Sequence, residues 1–225
     1  MTDAEKIRVM AAIVERLEEL YPDAVCALEY GGEPWRLMVM ARLSAQCTDA
    51  RVNEVCRVLF ERFPTLDSLA DAPLEEIADI VRPCGLWNTK SSNIKQECIM
   101  LRDEYGGVVP DDMDALLRLP GVGRKIANLL LGDIYGKPAI VADTHCIRIC
   151  GRFGMYSTDI KDAHKVEKIM SALVAPEKQS DFCHRIVQFG RDVCTARSPS
   201  CGECPVAQLC AFGLKSSANT PVKSS

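Results

Sequence analysis

Cys194, Cys201, Cys204 and Cys210 lie close together near the end of this 225-residue chain, in the pattern C-x6-C-x2-C-x5-C. Thiolates spaced this tightly can surround one ion or one cubane, and the intervening Pro199, Gly202 and Pro205 supply the sharp turns that point them inward. No other feature restricts the fold as much. Residues 194–210 must form a loop closed on a shared centre, which staples the C-terminal end. By ligand chemistry alone that centre is structural zinc or iron–sulfur. Paired C-x2-C knuckles favour zinc, whereas here there is a single such pair and the spacing is uneven.

The chain holds twelve cysteines in all. A secreted protein would pair them, but disulfide scaffolds are usually short and loop-rich. Residues 1–21 are amphipathic, with acids and bases mixed, unlike a signal peptide. In a reducing compartment scattered cysteines are mostly small buried apolar residues, and Cys146 and Cys150, one helical turn apart, read that way. No apolar run approaches the ~20 residues that span a bilayer. A cytoplasmic protein without a membrane partner is the expectation.

Helical spacing dominates the rest. Ile7, Met10, Val14, Leu17 and Tyr21 mark one apolar face, and Pro22 ends the run. Residues 35–46 are apolar almost all round and predict a buried central helix. Helices follow over 50–63, 74–81 and 88–105, parted by Pro64, Pro73, Pro83 and Gly85. Asn88 is the expected N-cap of the last, and Gly106-Gly107 its stop. Segments 112–118 and 124–135 flank a tight Pro-Gly-Val-Gly turn, and 144–153, 162–174 and 178–193 complete the set. No stretch alternates as a strand does, so the expected fold is all-α. Ser, Ala, Asn, Thr, Pro and Lys from residue 216 onward predict a disordered tail.

The net charge of −4 does not decide whether the partner is a nucleic acid, because the local field at one cleft governs phosphate binding. Acids concentrate at Glu15, Glu18, Glu19, 67–79 and 111–114, while Lys90, Lys95, Arg118, Arg124, Lys125, Arg148, Arg152 and Arg191 sit elsewhere.

The turn Leu119-Pro120-Gly121-Val122-Gly123, followed by Arg124-Lys125, is more specific. Its glycines allow a tight turn and close approach of another molecule, and the next helix starts with N–H groups and a positive dipole end beside it. That combination suits a DNA phosphate and reads no bases. An ordinary helix–turn–helix link would need neither the Leu-Pro before the turn nor the Arg-Lys after it. Lys125, in the first turn of the second helix, meets the unfavourable end of the dipole, and burial would help further to make it a neutral nucleophile. Alone, it reads as a solvated lysine. Asp143, before the helix at 144, reads as an N-cap that can still turn its second oxygen elsewhere. Gln46 closes the segment Leu43-Ser44-Ala45-Gln46.

In this order the pieces resemble the endonuclease III family, from about residue 5 to about residue 214. The resemblance implies that the cysteine loop holds a 4Fe–4S cluster through Cys194, Cys201, Cys204 and Cys210. It implies that Lys125 attacks C1′ of a damaged nucleotide, and that Asp143 helps activate it and stabilises positive charge on the sugar. Gln46 matches a glutamine that fills the gap left by a flipped base, and Leu86 a leucine that wedges into the opposite strand. Leu119, Gly121, Val122, Gly123 and Arg124 then grip the DNA backbone, and His145 lines the cleft. Trp87 stands where tyrosine is more usual, and Cys47 and Cys146 replace other small or apolar residues.

The implied architecture is a six-helix barrel over 27–137, with the helix–hairpin–helix at 112–135, beside a cluster domain made of 1–26 and 138–214, with 215–225 as tail. Lys125 and Asp143 would face each other across the cleft between the two. The implied activity is a bifunctional DNA glycosylase and AP lyase. It would act as a monomer on double-stranded DNA containing damaged bases or abasic sites. Two alternatives compete: a monofunctional mismatch glycosylase, whose relatives lack the hairpin lysine, and a non-catalytic DNA-binding module with a structural metal site.

Overall fold

The structure is a computed structural model that describes residues 1–218, with side chains to residue 214. The regular elements among its described residues are all helices, with no strand among them. None of those helices is long and apolar enough to cross a membrane. The chain divides into two compact units, one of residues 1–25 and 136–225 and one of residues 26–135.

Helix α1 (Asp3–Leu20) opens the first unit through a capping box between Thr2 and Glu5. The second unit follows with α2 (Pro34–Leu43), α3 (Asp49–Arg62), α4 (Leu66–Asp71), α5 (Leu74–Val81), α6 (Trp87–Tyr105), α7 (Met113–Arg118) and α8 (Arg124–Tyr135). Pro34 starts α2, whose Leu37, Met38, Val39, Met40 and Leu43 are all buried. That all-round burial follows from its position, packed against α3, α6 and α8. The long α6 also packs against α4 and α5 and forms the spine of the unit.

The first unit resumes with α9 (Thr144–Phe153), α10 (Ala163–Leu173), α11 (Gln179–Asp192) and α12 (Ala211–Ala218). Met10, Ile13, Val14 and Leu17 of α1 meet Cys146, Ile149, Cys150 and Phe153 of α9 and Phe182, Cys183, Ile186 and Phe189 of α11 in one core. Each large apolar side chain removed from water there contributes about 1.5–3 kcal/mol. Cys146, Cys150 and Cys183 fill that core as small apolar groups, and none of the twelve cysteines forms a disulfide.

Several boundaries depart from expectation. The central helix stops at Leu43 rather than running to 46, because Gln46 takes a left-handed backbone (φ 56°). Helix α6 begins one residue before Asn88, with Leu86 as N-cap at φ 50° and no side-chain cap bond. Helix α4 lies between Pro64 and Pro73, where no helix is expected; Thr65 and Ser68 cap each other's backbone N–H at 3.0 and 3.1 Å, so the unit has one helix more than the six expected. Helix α12 takes in residues 215–218 of the stretch expected to be disordered, and the rest of that stretch lies outside the described residues.

Candidate active site and cysteine loop

The hairpin turn joins α7 to α8. Asp112 caps α7 by accepting from the Ala115 N–H at 2.9 Å, and the Val122 N–H closes the turn onto the Leu119 carbonyl at 3.1 Å. Leu119 and Val122 are buried, so these two anchor the turn by their side chains and can offer a ligand only backbone. Gly121 has φ 80°, and a Cβ there would lie 2.8 Å from Asn93 and 2.9 Å from Arg42. Arg42 donates to the Gly121 carbonyl at 3.1 Å, and Asn93, its amide turned to suit, accepts from the same guanidinium. The turn is therefore held from behind by α2 and α6. Gly123 differs: a Cβ there would meet nothing within 4 Å among the described residues. Lys125, two residues on, is exposed, so the burial invoked for it is absent here.

Gln46 and Leu86 are the only non-glycine residues with positive φ among those described. Each such conformation costs of order 1–3 kcal/mol and persists only where surrounding structure imposes it. Both side chains are exposed, Leu86 by 59%. Between their loops lies Lys90, 1% exposed, whose ammonium donates to the carbonyls of Leu43 (2.8 Å), Ala45 (2.7 Å) and Cys84 (2.7 Å). Burial pulls the Lys90 ammonium below its ordinary pKa, with the neighbouring Cys84 and Cys47 pushing the other way. Its three protons have three acceptors.

In the other unit Asp143 caps α9, its Oδ1 accepting from the Cys146 N–H at 2.8 Å. The second oxygen, Oδ2, lies 3.2 Å from Nδ1 of the half-buried His145. His145 in turn packs on Gly190 of α11, where a Cβ would lie 2.5 Å from the imidazole. Lys125 belongs to the unit of residues 26–135 and Asp143 and His145 to the other. His164 is exposed and His184 half-buried on α11.

The cysteine loop leaves α11 at Cys194 and is seated on α9. Arg152 donates to Cys194 Sγ (3.3 Å) and to the carbonyls of Thr195 (2.7 Å) and Ala196 (2.8 Å), while Arg148 reaches the Cys194 carbonyl at 3.1 Å. The Gly213 N–H points at Cys210 Sγ (3.4 Å). N–H donors on sulfur suit ligating thiolates. Burial raises the pKa of the Cys210 thiol, and Cys194 and Cys201 lie near enough to push it the same way. Among the described residues no three His, Cys, Asp or Glu side chains converge as a single metal ion requires. Four thiols close together in sequence, with N–H donors on the sulfurs of Cys194 and Cys210, suit an iron–sulfur cubane. Cys194, Cys201, Cys204 and Cys210 are the residues that would hold it.

Comparison with known proteins agrees with this donor set. Residues 39–176 match the HhH-GPD superfamily of base excision DNA repair proteins, and residues 194–210 match the iron–sulfur binding domain of endonuclease III. Endonuclease III of Bacillus subtilis is 40% identical over 203 residues, covering 90% of this chain and 91% of the relative. The Escherichia coli K12 protein is 35% identical, covering 90% and 95%. A solved structure described as a trapped endonuclease III–DNA covalent intermediate superposes with a TM-score of 0.87 at 40% identity, covering 94% of this chain and 98% of that one. A thermostable thymine-DNA glycosylase, 22% identical, shares the fold with a TM-score of 0.84. The chain belongs to the endonuclease III family. It is a base excision repair DNA glycosylase with AP lyase activity and carries a 4Fe–4S cluster.

Four residues that hold the site escaped the sequence reading. Lys90, Arg148 and Arg152 stand out in the sequence only as basic residues away from the acidic stretches, yet Lys90 is buried and both arginines bond carbonyls inside the fold. Arg42 was not singled out at all. Nothing local marks such residues, because their acceptors lie far away in sequence.

Proposed function

We propose that the chain removes oxidised pyrimidines, thymine glycol among them, from double-stranded DNA, and that it also cuts at abasic sites. The hairpin turn and the start of α8 take up a backbone phosphate, with Leu119, Gly121, Val122 and Gly123 contributing backbone and Arg124 charge. Leu86 wedges into the opposite strand and Gln46 fills the gap as the damaged nucleotide leaves the stack, a step that costs less for a damaged base. The amine lone pair of Lys125 forms a bond to C1′ while the N-glycosidic bond breaks, its electron pair leaving with the base, which takes up a proton. Opening of the sugar ring at O4′ gives the imine. Loss of a C2′ proton then expels the 3′ phosphate and cuts the strand. Asp143, with His145 beside it, stabilises the positive charge that develops on the sugar. Cys194, Cys201, Cys204 and Cys210 hold the cluster, whose part is structural. The protein acts as a monomer in the cytoplasm.

The observation that carries this reading is the pairing of an exposed Lys125 with Gly123, a glycine whose added Cβ would meet nothing within 4 Å among the described residues. A molecule outside the chain is the simplest reason for it. The trapped covalent complex of a 40% identical relative supports the same chemistry. Contact with DNA also supplies the desolvation that Lys125 lacks in the free protein.

Borohydride trapping on a duplex with one thymine glycol tests it. A covalent adduct is expected with the native protein and with none of the Lys125→Gln variant, while Asp143→Asn lowers its yield at least a hundredfold. Base release without an adduct would mean monofunctional chemistry, with Lys125 only a phosphate contact. Neither adduct nor release, from protein with an intact cluster, would sink the oxidised-pyrimidine substrate.

A further inference from the structure

The two loops that carry Gln46 and Leu86 approach one another at a single buried charge. Residues 44–46 follow α2, and residues 82–84 form a 3-10 turn before α6. Leu43 and Ala45 bring their carbonyls to Lys90 from the first loop, and Cys84 brings its own from the second. The bonded carbonyls lie next to Gln46 on one side and two residues before Leu86 on the other. These are also the only two non-glycine residues in left-handed backbone among those described, and both side chains point outward enough to be exposed.

An ammonium buried this deeply is held only if all its protons are accepted, and here each has one carbonyl. Three carbonyls turned toward one point fix the peptide planes that precede the strained residues. Without the cation those carbonyls would be buried without donors, and the loops would swing them to water. Swinging them would also pull on the left-handed residues, because Gln46 lies inside the turn that the Cys47 N–H closes onto the Ser44 carbonyl at 3.2 Å, and the Leu86 carbonyl accepts from the Lys90 N–H at 3.0 Å at the start of α6.

We propose that Lys90 is a positioning residue of the excision reaction: its ammonium ties the 44–46 and 82–86 loops together, so that Gln46 and Leu86 are set for simultaneous insertion into DNA before DNA arrives. This rests on the reading of those two side chains as the inserting pair. Preorganisation of this kind lowers the cost of base extrusion, so the loss on removing it falls on substrates that must be unstacked.

The test uses Lys90→Met, which keeps length and apolar stem and removes all three donors, and Lys90→Gln, which keeps two. Excision is measured on a duplex with one thymine glycol, and 2-aminopurine opposite the lesion reports unstacking by its fluorescence rise. Lys90→Met is expected to lower kcat/KM for excision at least tenfold and to abolish the fluorescence rise, with Lys90→Gln between it and native. The decisive arm is a double-mutant cycle. In a Gln46→Ala/Leu86→Ala background, Lys90→Met should change excision less than twofold, since the side chains it positions are gone. An equal fold-loss in both backgrounds would mean a purely structural lysine and would overturn the proposal. So would native excision by both Lys90 variants. If Lys90→Met does not fold, Lys90→Gln carries the same cycle. Native excision and fluorescence in Gln46→Ala/Leu86→Ala itself would remove the insertion reading instead, and the proposal with it.

Discussion

The hairpin turn at 119–123 and the loops at 44–46 and 82–86 present the same backbone problem and solve it in opposite ways. Each needs positive φ at a surface position. The hairpin uses Gly121, at no steric cost, and gives up the side chain. The loops place Gln46 and Leu86 there, accept the strain, and gain an amide and an isobutyl group that project outward. On the proposed function the contrast has a reason: a part that grips phosphate needs only backbone, and a part that enters the base stack needs side chains. Both are supported from α6: Asn93 with Arg42 stands behind the hairpin, and Lys90 one turn earlier behind the loops.

The comparison breaks most sharply at Gly121. Gly121→Ala would meet Asn93 and Arg42 at 2.8 and 2.9 Å and hold an L-residue at φ 80°. A loss of about 2–4 kcal/mol in unfolding free energy is expected from the clash and the strain together. Urea denaturation measures it. A loss below about 1 kcal/mol would show that Arg42 and Asn93 yield easily and do not hold the turn.

The support itself contains a titratable group. Glu97, one turn beyond Asn93 on α6, is 0% exposed, and neither carboxylate oxygen has a hydrogen-bond partner. Burial pushes its pKa well above the ordinary carboxylate range, and the Arg42 charge offsets this only in part. The folded state therefore binds a proton that the unfolded state loses above about pH 4.3. Stability from this group is complete below that pH and declines as pH rises toward the folded pKa, by up to about 1.4 kcal/mol per pH unit. Glu97→Gln should remove the decline, so its advantage over the native protein grows from pH 5 to pH 8. Parallel pH profiles for the two proteins would show that Glu97 is ionised and paired in solution.

Gly123 separates grip from fold. Gly123→Ala should leave the unfolding free energy unchanged within about 0.5 kcal/mol, because its Cβ meets nothing within 4 Å among the described residues. Binding to a duplex with an abasic-site analogue should weaken about tenfold, roughly 1.4 kcal/mol, if a phosphate lies against that Cα. Unchanged affinity would place the DNA backbone elsewhere.

What could be read from the sequence follows the same division. The hairpin was legible because glycine, proline and the Arg-Lys pair are local signals for turn, cap and charge, and the cysteine loop because its ligands are near neighbours. Asp143 was legible as an N-cap, which it is. Lys90 was not, because two of its acceptors lie 47 and 45 residues away and a helix lysine without that knowledge reads as solvated. Leu86 as N-cap was hidden for a related reason: Asn88 carries the ordinary cap signal, and tertiary contacts overrode it. The arginines on α9 hold the cysteine loop by carbonyls that no spacing rule announces.

The smallest effect sharpens the comparison furthest. Leu86→Gly relieves a left-handed conformation in a side chain that is 59% exposed and therefore loses little burial. The relief of about 1–2 kcal/mol is partly offset by the greater unfolded-state entropy of glycine, leaving a net gain of roughly 0.5 kcal/mol. The same variant has no wedge, so excision from a duplex should fall at least tenfold while the protein becomes slightly more stable. Gln46→Gly should behave alike. A stability gain coupled to a loss of excision is what distinguishes strain kept for function from strain tolerated by accident. If Leu86→Gly is instead destabilised by more than about 1 kcal/mol, the leucine side chain is holding its own loop, and the contrast with Gly121 disappears.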